Sequence, residues 1–421
     1  MAGPDLITAL HWLFITGRSE SSVVKSPAWW GSETTSDGSL RILQVAATIA
    51  AADGGPATSV RSLNRAFHRL GHQALVMTTA DHGVDRMKKP DYVNGTYALA
   101  SSQVPGAPYK LSIDMFFRLQ KAVRSADVVI ADGLYLPSVL MACFWSSIFR
   151  KPFFLQPHGT LDAYDRRKNA NLKRAFDWII AGWLFRMSEG IFVTSAAERL
   201  DALPQRFRSK VRVVPLGADL SRESQTALPA SYLAVPRSRR FVFLGRLARK
   251  KNPRLLLQAW QESGVGTSGH LLFVGPDGAH TALELQELAE ELGIDRSVTV
   301  MGPVDEQGVA SVLRASGVFV LLTDRENFGI ALVEAMIADC AVLATRGVAA
   351  AEFVEQCKGG ILLEAPDLQA SANALKELSD SEDEVVAMGM RAGQFARDHL
   401  TWEESAKRYL EVFRGGRTNA S

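Results

Sequence analysis

The segment from Thr323 to Met336, TDRENFGIALVEAM, carries two carboxylates, Glu326 and Glu334, on either side of NFGIALV. It follows the apolar run VFVLL and leads into a helical pattern. With a helix starting near Phe328, Glu326 lies in the loop before it and Glu334 lies about one and a half turns inside. Gly329 lacks a Cβ, so backbone there can approach a ligand closely. The unpaired amides of the helix start offer donors to a phosphate or a sugar hydroxyl. Two carboxylates so placed could accept hydrogen bonds from two sets of hydroxyls. A plain helix start with a dipole-favoured Glu and a solvated Glu also fits the spacing.

Three further turns carry polar groups of the right kind. In GRLARKKNPRLLL, Gly245 to Leu257, Arg246 ends a strand and Lys251 follows in the loop. Asn252 suits a helix cap and Pro253 the first helical position. The planar Arg fork and the Lys point charge could together clamp a diphosphate, although Arg246, Arg249, Lys250 and Lys251 could equally form a solvated basic loop. The first βα turn reads Asp53-Gly54-Gly55-Pro56, where paired glycines permit close approach across a cleft or simply a tight turn. It is not GxGxxG, which weakens a nicotinamide dinucleotide reading. In QPHGTLDAY, His158 and Gly159 end the strand FFLQP, and a His there can bond a sugar or steer developing charge, or hold the turn together. No DxD carboxylate pair, the usual metal anchor beside a diphosphate, occurs anywhere in the chain.

The elements that must position these turns alternate regularly from Arg41 onward. RILQVAATIA, QALVMTT, DVVIADG, FFLQP, GIFVTS and VRVVPLG are nearly continuous apolar runs separated by helical or irregular stretches. FVFLGRL, HLLFVGP, VTVMGPV, VFVLLT, AVLATRG and GGILL form a second series. Buried parallel strands with crossover helices have this pattern, and two doubly wound domains place a ligand between their strand carboxyl ends. The expected layout is a flexible extension over 1–39, a first Rossmann-like domain over 40–220, a linker over 221–240 and a second Rossmann-like domain over 241–395. The remaining 396–421 reads as a helix and tail returning to the first domain, with Trp402, Tyr409, Leu410 and Phe413 as buried positions.

The bulk numbers fit two soluble globular domains: 421 residues, 47% hydrophobic and 22% charged. A net charge of +2 gives no electrostatic argument for nucleic-acid binding. Cys143, Cys340 and Cys357 have neither metal-ligand nor redox spacing, and a reducing, cytoplasmic compartment fits them. Leu6 to Thr16 is apolar but short, without a basic segment before it, and Pro137, Ser146 and Ser147 interrupt the apolar run from Gly133 to Phe149. Tyr164 to Met187 combines Arg166, Arg167, Lys168, Lys173 and Arg174 with Phe176, Trp178 and Trp183. That stretch suits contact with an anionic membrane as well as an ordinary packed helix with a basic face.

Taken in order, these four turns resemble glycosyltransferase family 4, whose members have the GT-B fold: two facing Rossmann-like α/β domains around an interdomain cleft. The resemblance runs from Arg41 to about Leu400, and its most specific feature is the family's EX7E motif, Glu326-NFGIALV-Glu334. It implies that Glu326 contacts the donor-sugar hydroxyls and Glu334 the nucleotide ribose. Asn327, Phe328, Gly329 and Ile330 would supply backbone contacts, Arg246 and Lys251 would hold the diphosphate, Gly54 and Gly55 would form the glycine-rich first loop, and His158 would be the cleft histidine. Val193-Thr194-Ser195 with Glu198, and Pro215 to Asp219, resemble further family stretches. Many relatives read His-Gly-Leu where this chain has Asp132-Gly133-Leu134, which leaves the acceptor side open.

The implied activity is retaining, metal-independent transfer from a UDP- or GDP-sugar to an acceptor hydroxyl, with no cofactor. The acceptor would be a saccharide or lipid-linked saccharide of polysaccharide or glycolipid biosynthesis. A GT-B UDP-sugar 2-epimerase and a non-enzymatic two-domain sugar-binding protein are the competing readings.

Overall fold

The computed structural model describes residues 38–50, 54–79, 91–93, 96–104, 110–160, 180–196, 198, 203–222 and 226–417. The extension over residues 1–37 and most of the basic aromatic stretch, residues 164–179, lie outside these.

Eight strands make the first sheet: β1 (Arg41–Val45), β2 (Gln73–Thr79), β3 (Asp91–Val93), β4 (Thr96–Ser101), β5 (Val128–Asp132), β6 (Phe153–Gln156), β7 (Gly190–Val193) and β8 (Val211–Val213). Their order is β3-β4-β2-β1-β5-β6-β7-β8, parallel except for the antiparallel β3–β4 pair. The short β3 and β4 were not expected. Asn94-Gly95 between them is a two-residue hairpin signal that the surrounding polar residues obscure.

The second sheet contains β9 (Arg240–Leu244), β10 (His270–Val274), β11 (Val298–Met301), β12 (Val318–Leu321), β13 (Ala341–Thr345) and β14 (Gly360–Leu363). Its order is β11-β10-β9-β12-β13-β14, with every pair parallel. β5, β9's Phe241 to Leu244, β10, β12 and β13 are buried throughout, as strands covered by helices on both faces must be. The two sheets are the two Rossmann-like α/β domains of a GT-B fold.

Residues 226–240, expected as linker, pack onto the second domain. Tyr232, in a short helix over Ala230–Leu233, is fully buried and bonds Ser316 Oγ at 2.6 Å. Arg237 donates to the carbonyls of Arg314, Ala338 and Asp339.

The final helix, Trp402–Arg417, lies on the first domain. Its Tyr409 hydroxyl donates to Gln156 Oε1 at 2.9 Å, and Ser405 Oγ donates to the Pro215 carbonyl at 2.9 Å. Phe413 meets Phe154 with ring centroids 5.1 Å apart, so the chain end buries aromatic surface under β6 and β7. A Cβ at Gly217 would collide with backbone at Thr401 and Trp402, which is why the crossing needs glycine there.

Candidate functional site

The second sheet reverses direction of growth between β9 and β12, and the loops leaving these two strands open a crevice beyond their carboxyl ends. Those loops are the ones that carry the basic residues and Glu326. Four hydrogen bonds join them. Thr323 Oγ1 donates to the Lys250 carbonyl at 2.7 Å, and the Asp324 amide donates to the same oxygen at 3.0 Å. Asn252 Nδ2 donates to the Leu322 carbonyl at 3.0 Å and to Asp324 Oδ2 at 3.3 Å.

This use of Asn252 corrects its expected role as a capping side chain. It does occupy the cap position of the Pro253–Ser263 helix, but with φ 49° and without a capping bond. Asparagine tolerates this left-handed conformation better than most residues, and its amide is then turned toward the β12 loop. Pro253 takes the first helical position as expected. The Arg249–Lys251 loop is a single 3-10 turn.

That turn points Lys251 back over the end of β9. Its Nζ lies 3.3 Å from Glu326 Oε2, with Lys250 Nζ farther off at 3.7 Å. A Cβ on Gly245 would come within 2.7 Å of Lys251 Nζ, so the glycine makes room for the ammonium. Glu326 Oε2 is buried and accepts no hydrogen bond. The two cations balance its charge. Arg246 is exposed beside them, and its guanidinium has no ion-pair partner among the described residues.

The loop from Glu326 to Gly329 is pinned from behind. The Glu326 amide donates to the Gly347 carbonyl at 2.9 Å, and the Ala350 amide donates to the Phe328 carbonyl at 2.9 Å. Phe328 is buried against Phe353, which anchors the loop in the core. Gly329, not Phe328, ends the loop. It caps the Ile330–Ile337 helix at φ 91°, where a side chain would also strike Val348. Glu334 thus lies just over one turn into a helix that starts later than expected. Its residue keeps some exposed surface, yet its carboxyl is desolvated. Burial first, then the Glu306 charge, pushes it up to about 7.

The first domain supplies the opposite wall. Gly54 caps the Gly55–Arg69 helix at φ 75°, with no atom within 4 Å of a Cβ built there, so the helix start faces open space. The helix begins at Gly55. A Cβ on Gly55 would lie 3.9 Å from Ile330 Cδ1 of the second domain. His158, at φ 51°, turns its ring onto Asp132 at the end of β5, with Nε2 2.8 Å from Oδ1. Asp132 is buried, which raises its pKa, while the His158 bond pulls it down, and its Oδ2 has no partner. An ionised Asp132 accepts from Nε2 and so fixes the orientation of the ring.

Across the cleft, Gly159 packs so tightly on the Asn327 side chain that any Cβ would overlap it. Thr194 Oγ1 reaches the Asn327 carbonyl at 3.4 Å. Glu198 ties this wall together, since Oε1 accepts from the Gly159 amide at 2.9 Å and Oε2 accepts from the Thr194 amide and hydroxyl at 2.9 and 2.8 Å. The structure therefore brings Gly55 against Ile330 and Gly159 against Asn327 across the two domains, with Lys251 and Glu326 paired in the adjoining loops, while Phe328 packs into the core. Asp132 and Asn252 were not identified as site-building residues in advance. Their signal was position alone, one at a strand's carboxyl end and one between a basic turn and a helix proline.

Two protein-family models match in tandem, each over one of the two domains: "Glycosyl transferase 4-like domain" over residues 54–217 and "Glycosyl transferases group 1" over residues 224–395. The chain belongs to glycosyltransferase family 4. Among curated relatives of this family 4 chain, the D-inositol 3-phosphate glycosyltransferase of Corynebacterium urealyticum is 34% identical over 224 residues, 49% of this chain and 51% of the relative. That of Rhodococcus opacus is 29% identical over 54% of this chain and 53% of the relative. The chain thus spans about half the length of the curated relatives it matches.

Solved glycosyltransferase folds cover more of it. Anabaena HepE in complex with UDP and glucose superposes with TM-score 0.66 at 18% identity, over 89% of this chain and 100% of that one. Sucrose-phosphate synthase from Thermosynechococcus elongatus gives TM-score 0.67 at 19% identity, over 91% and 100%.

Proposed function

We propose that this chain transfers a sugar from a UDP- or GDP-linked donor to an acceptor hydroxyl, retaining the anomeric configuration and using no metal ion. The observation that carries the reading is the Lys251–Glu326 pair at the β9/β12 switch point, next in sequence to Asn327, whose side chain packs on Gly159 of the first domain. A diphosphate placed beside Lys251 and Arg246 would be neutralised by the two cations and by amides at the Gly329 helix start. Glu326 Oε2, buried and without a hydrogen bond, suits the hydroxyls of the transferred sugar. Glu334, inside the helix, suits the ribose.

In the step itself, the bond from the anomeric carbon to the diphosphate oxygen breaks as the acceptor oxygen bonds from the same face. The departing diphosphate takes the acceptor's proton. His158, oriented by Asp132, holds the sugar and stabilises positive charge developing on its ring. The likeness to HepE, solved with UDP and glucose, supports a nucleotide-sugar donor. The acceptor class we favour is a saccharide or lipid-linked saccharide, as in polysaccharide or glycolipid biosynthesis.

Thermal melts with UDP- and GDP-sugars test donor binding, because a ligand that binds only the folded protein raises its melting point. At about a hundred times Kd the gain is about 2.7 kcal/mol. The same melts, and transfer, should be unchanged by EDTA. A loss in EDTA that Mg²⁺ or Mn²⁺ restores would show that a cation neutralises the diphosphate.

A further inference from the structure

Two neighbouring helices on the first domain, Ile113–Ser125 and Pro137–Ile148, leave large apolar side chains uncovered. Ile113 is 43% exposed, Phe117 62%, Phe144 42% and Ile148 57%. Isolated exposed hydrophobics are ordinary on a soluble protein, but a contiguous set marks a contact surface. Here they are contiguous through aromatic rings. Phe116 stacks on Phe144 at 6.0 Å and meets Phe117 at 5.6 Å and Trp145 at 4.9 Å. Trp145 stacks on Phe149 at 5.6 Å, and its Nε1 donates to the Phe116 carbonyl at 2.8 Å. The aromatic platform is therefore held rigid without a ligand.

Cations outnumber acids beside this platform. Pro137–Ile148 has no charged residue, and Arg150 and Lys151 follow it directly. Ile113–Ser125 carries Arg118, Lys121 and Arg124 against one acid, Asp114, which pairs with Arg118 at 3.0 Å. Nearby Asp127 is held by Arg41 at 3.4 Å. Arg124 lies over the Phe149 ring at 6.0 Å, placing the cationic ends of both helices together.

We propose that this face docks the protein on an anionic phospholipid bilayer, with Ile113, Phe117, Phe144 and Ile148 entering the interface and Lys121, Arg124, Arg150 and Lys151 meeting the headgroups. Exposed aromatic rings beside cations match a surface that is apolar below and negatively charged above. Among the described residues no helix is long and apolar enough to cross a membrane, so the contact lies in the interface plane. A second copy of this chain fits less well, because face-to-face packing would bring one cationic rim against another. The Pro137–Ile148 helix starts just beyond Asp132-Gly133, so docking would set the cleft edge beside the membrane. The proposal does not depend on the donor reading.

The test is sedimentation of the full chain with phosphatidylglycerol/phosphatidylcholine vesicles and with phosphatidylcholine alone. Binding is expected on the anionic vesicles at low salt, weak on the neutral ones, and lowered by salt. Phe117→Ser with Phe144→Ser should reduce it at least about tenfold, and Lys121→Glu with Arg124→Glu by at least about fivefold per cation removed. The charge variant changes only exposed side chains, so it serves even if the apolar variant fails to fold by circular dichroism. Wild-type protein that stays in the supernatant, or variants that sediment like it, would overturn the proposal. So would a lipid-free dimer in ultracentrifugation that the phenylalanine variant converts to monomer.

Discussion

Lys251→Ala is expected to lower kcat/KM for transfer by at least about tenfold, or over ~1.4 kcal/mol, and Arg246→Ala to do so to a lesser degree. The ranking comes from surroundings. Lys251 is mostly enclosed, 14% exposed at the side chain, and is the nearer cation to Glu326. Removing it takes a charge from the diphosphate and leaves a buried carboxylate with only Lys250 at 3.7 Å. Arg246 is exposed, so solvent screens its attraction more strongly. Steady-state kinetics of the two variants, with melting points recorded to confirm folding, check the ranking. Unchanged kinetics in both would remove the cationic clamp.

The two glutamates should separate cleanly. Glu334→Ala removes a contact to the ribose, which does not react, so it should raise the donor KM more than it lowers kcat and should weaken the free nucleoside diphosphate. Glu326→Ala acts at the transferred sugar and should mainly lower kcat, leaving the affinity for the sugar-free nucleotide nearly unchanged. Glu334 adds a pH signature. Its carboxyl is protonated below about 7 in the free protein, whereas ribose hydroxyls donate to the ionised form. Binding then releases a proton, and nucleotide affinity should be flat above that pH and fall by up to about tenfold per unit below it. Glu334→Gln cannot titrate and should flatten the profile. Calorimetric affinities across pH decide this, and a wild-type profile identical to that of Glu334→Gln would contradict the ribose assignment.

What the residues revealed in advance, and what they hid, follows from the range of the interactions. The apolar runs of β9, β10, β12 and β13 are local patterns, and the polar turns after them sit within a few residues of each strand, so both could be read directly. The register between turns could not. Nothing local says that Asn252 will bond Leu322 and Asp324, because that depends on β12 lying beside β9. Glu198 holding Gly159, and Tyr409 reaching Gln156 from 253 positions away, are likewise products of tertiary packing. The late start of the Ile330–Ile337 helix has a local cause that was visible but misjudged. Gly329 adopts a left-handed conformation that a helix interior excludes, so it ends the loop and cannot belong to the first turn. Residues 226–240 looked like linker because they are polar and broken by Pro229 and Pro236, yet Tyr232 and Arg237 bind them to the second domain.

The most direct measurement is proton NMR of the first-formed product, with a donor chosen from the thermal melts and a saccharide acceptor, in EDTA. The account predicts a new glycoside whose anomeric configuration equals that of the donor. An inverted glycoside would contradict same-face displacement. Donor consumed with no glycoside formed, or a requirement for added cation, would contradict the assigned reaction itself.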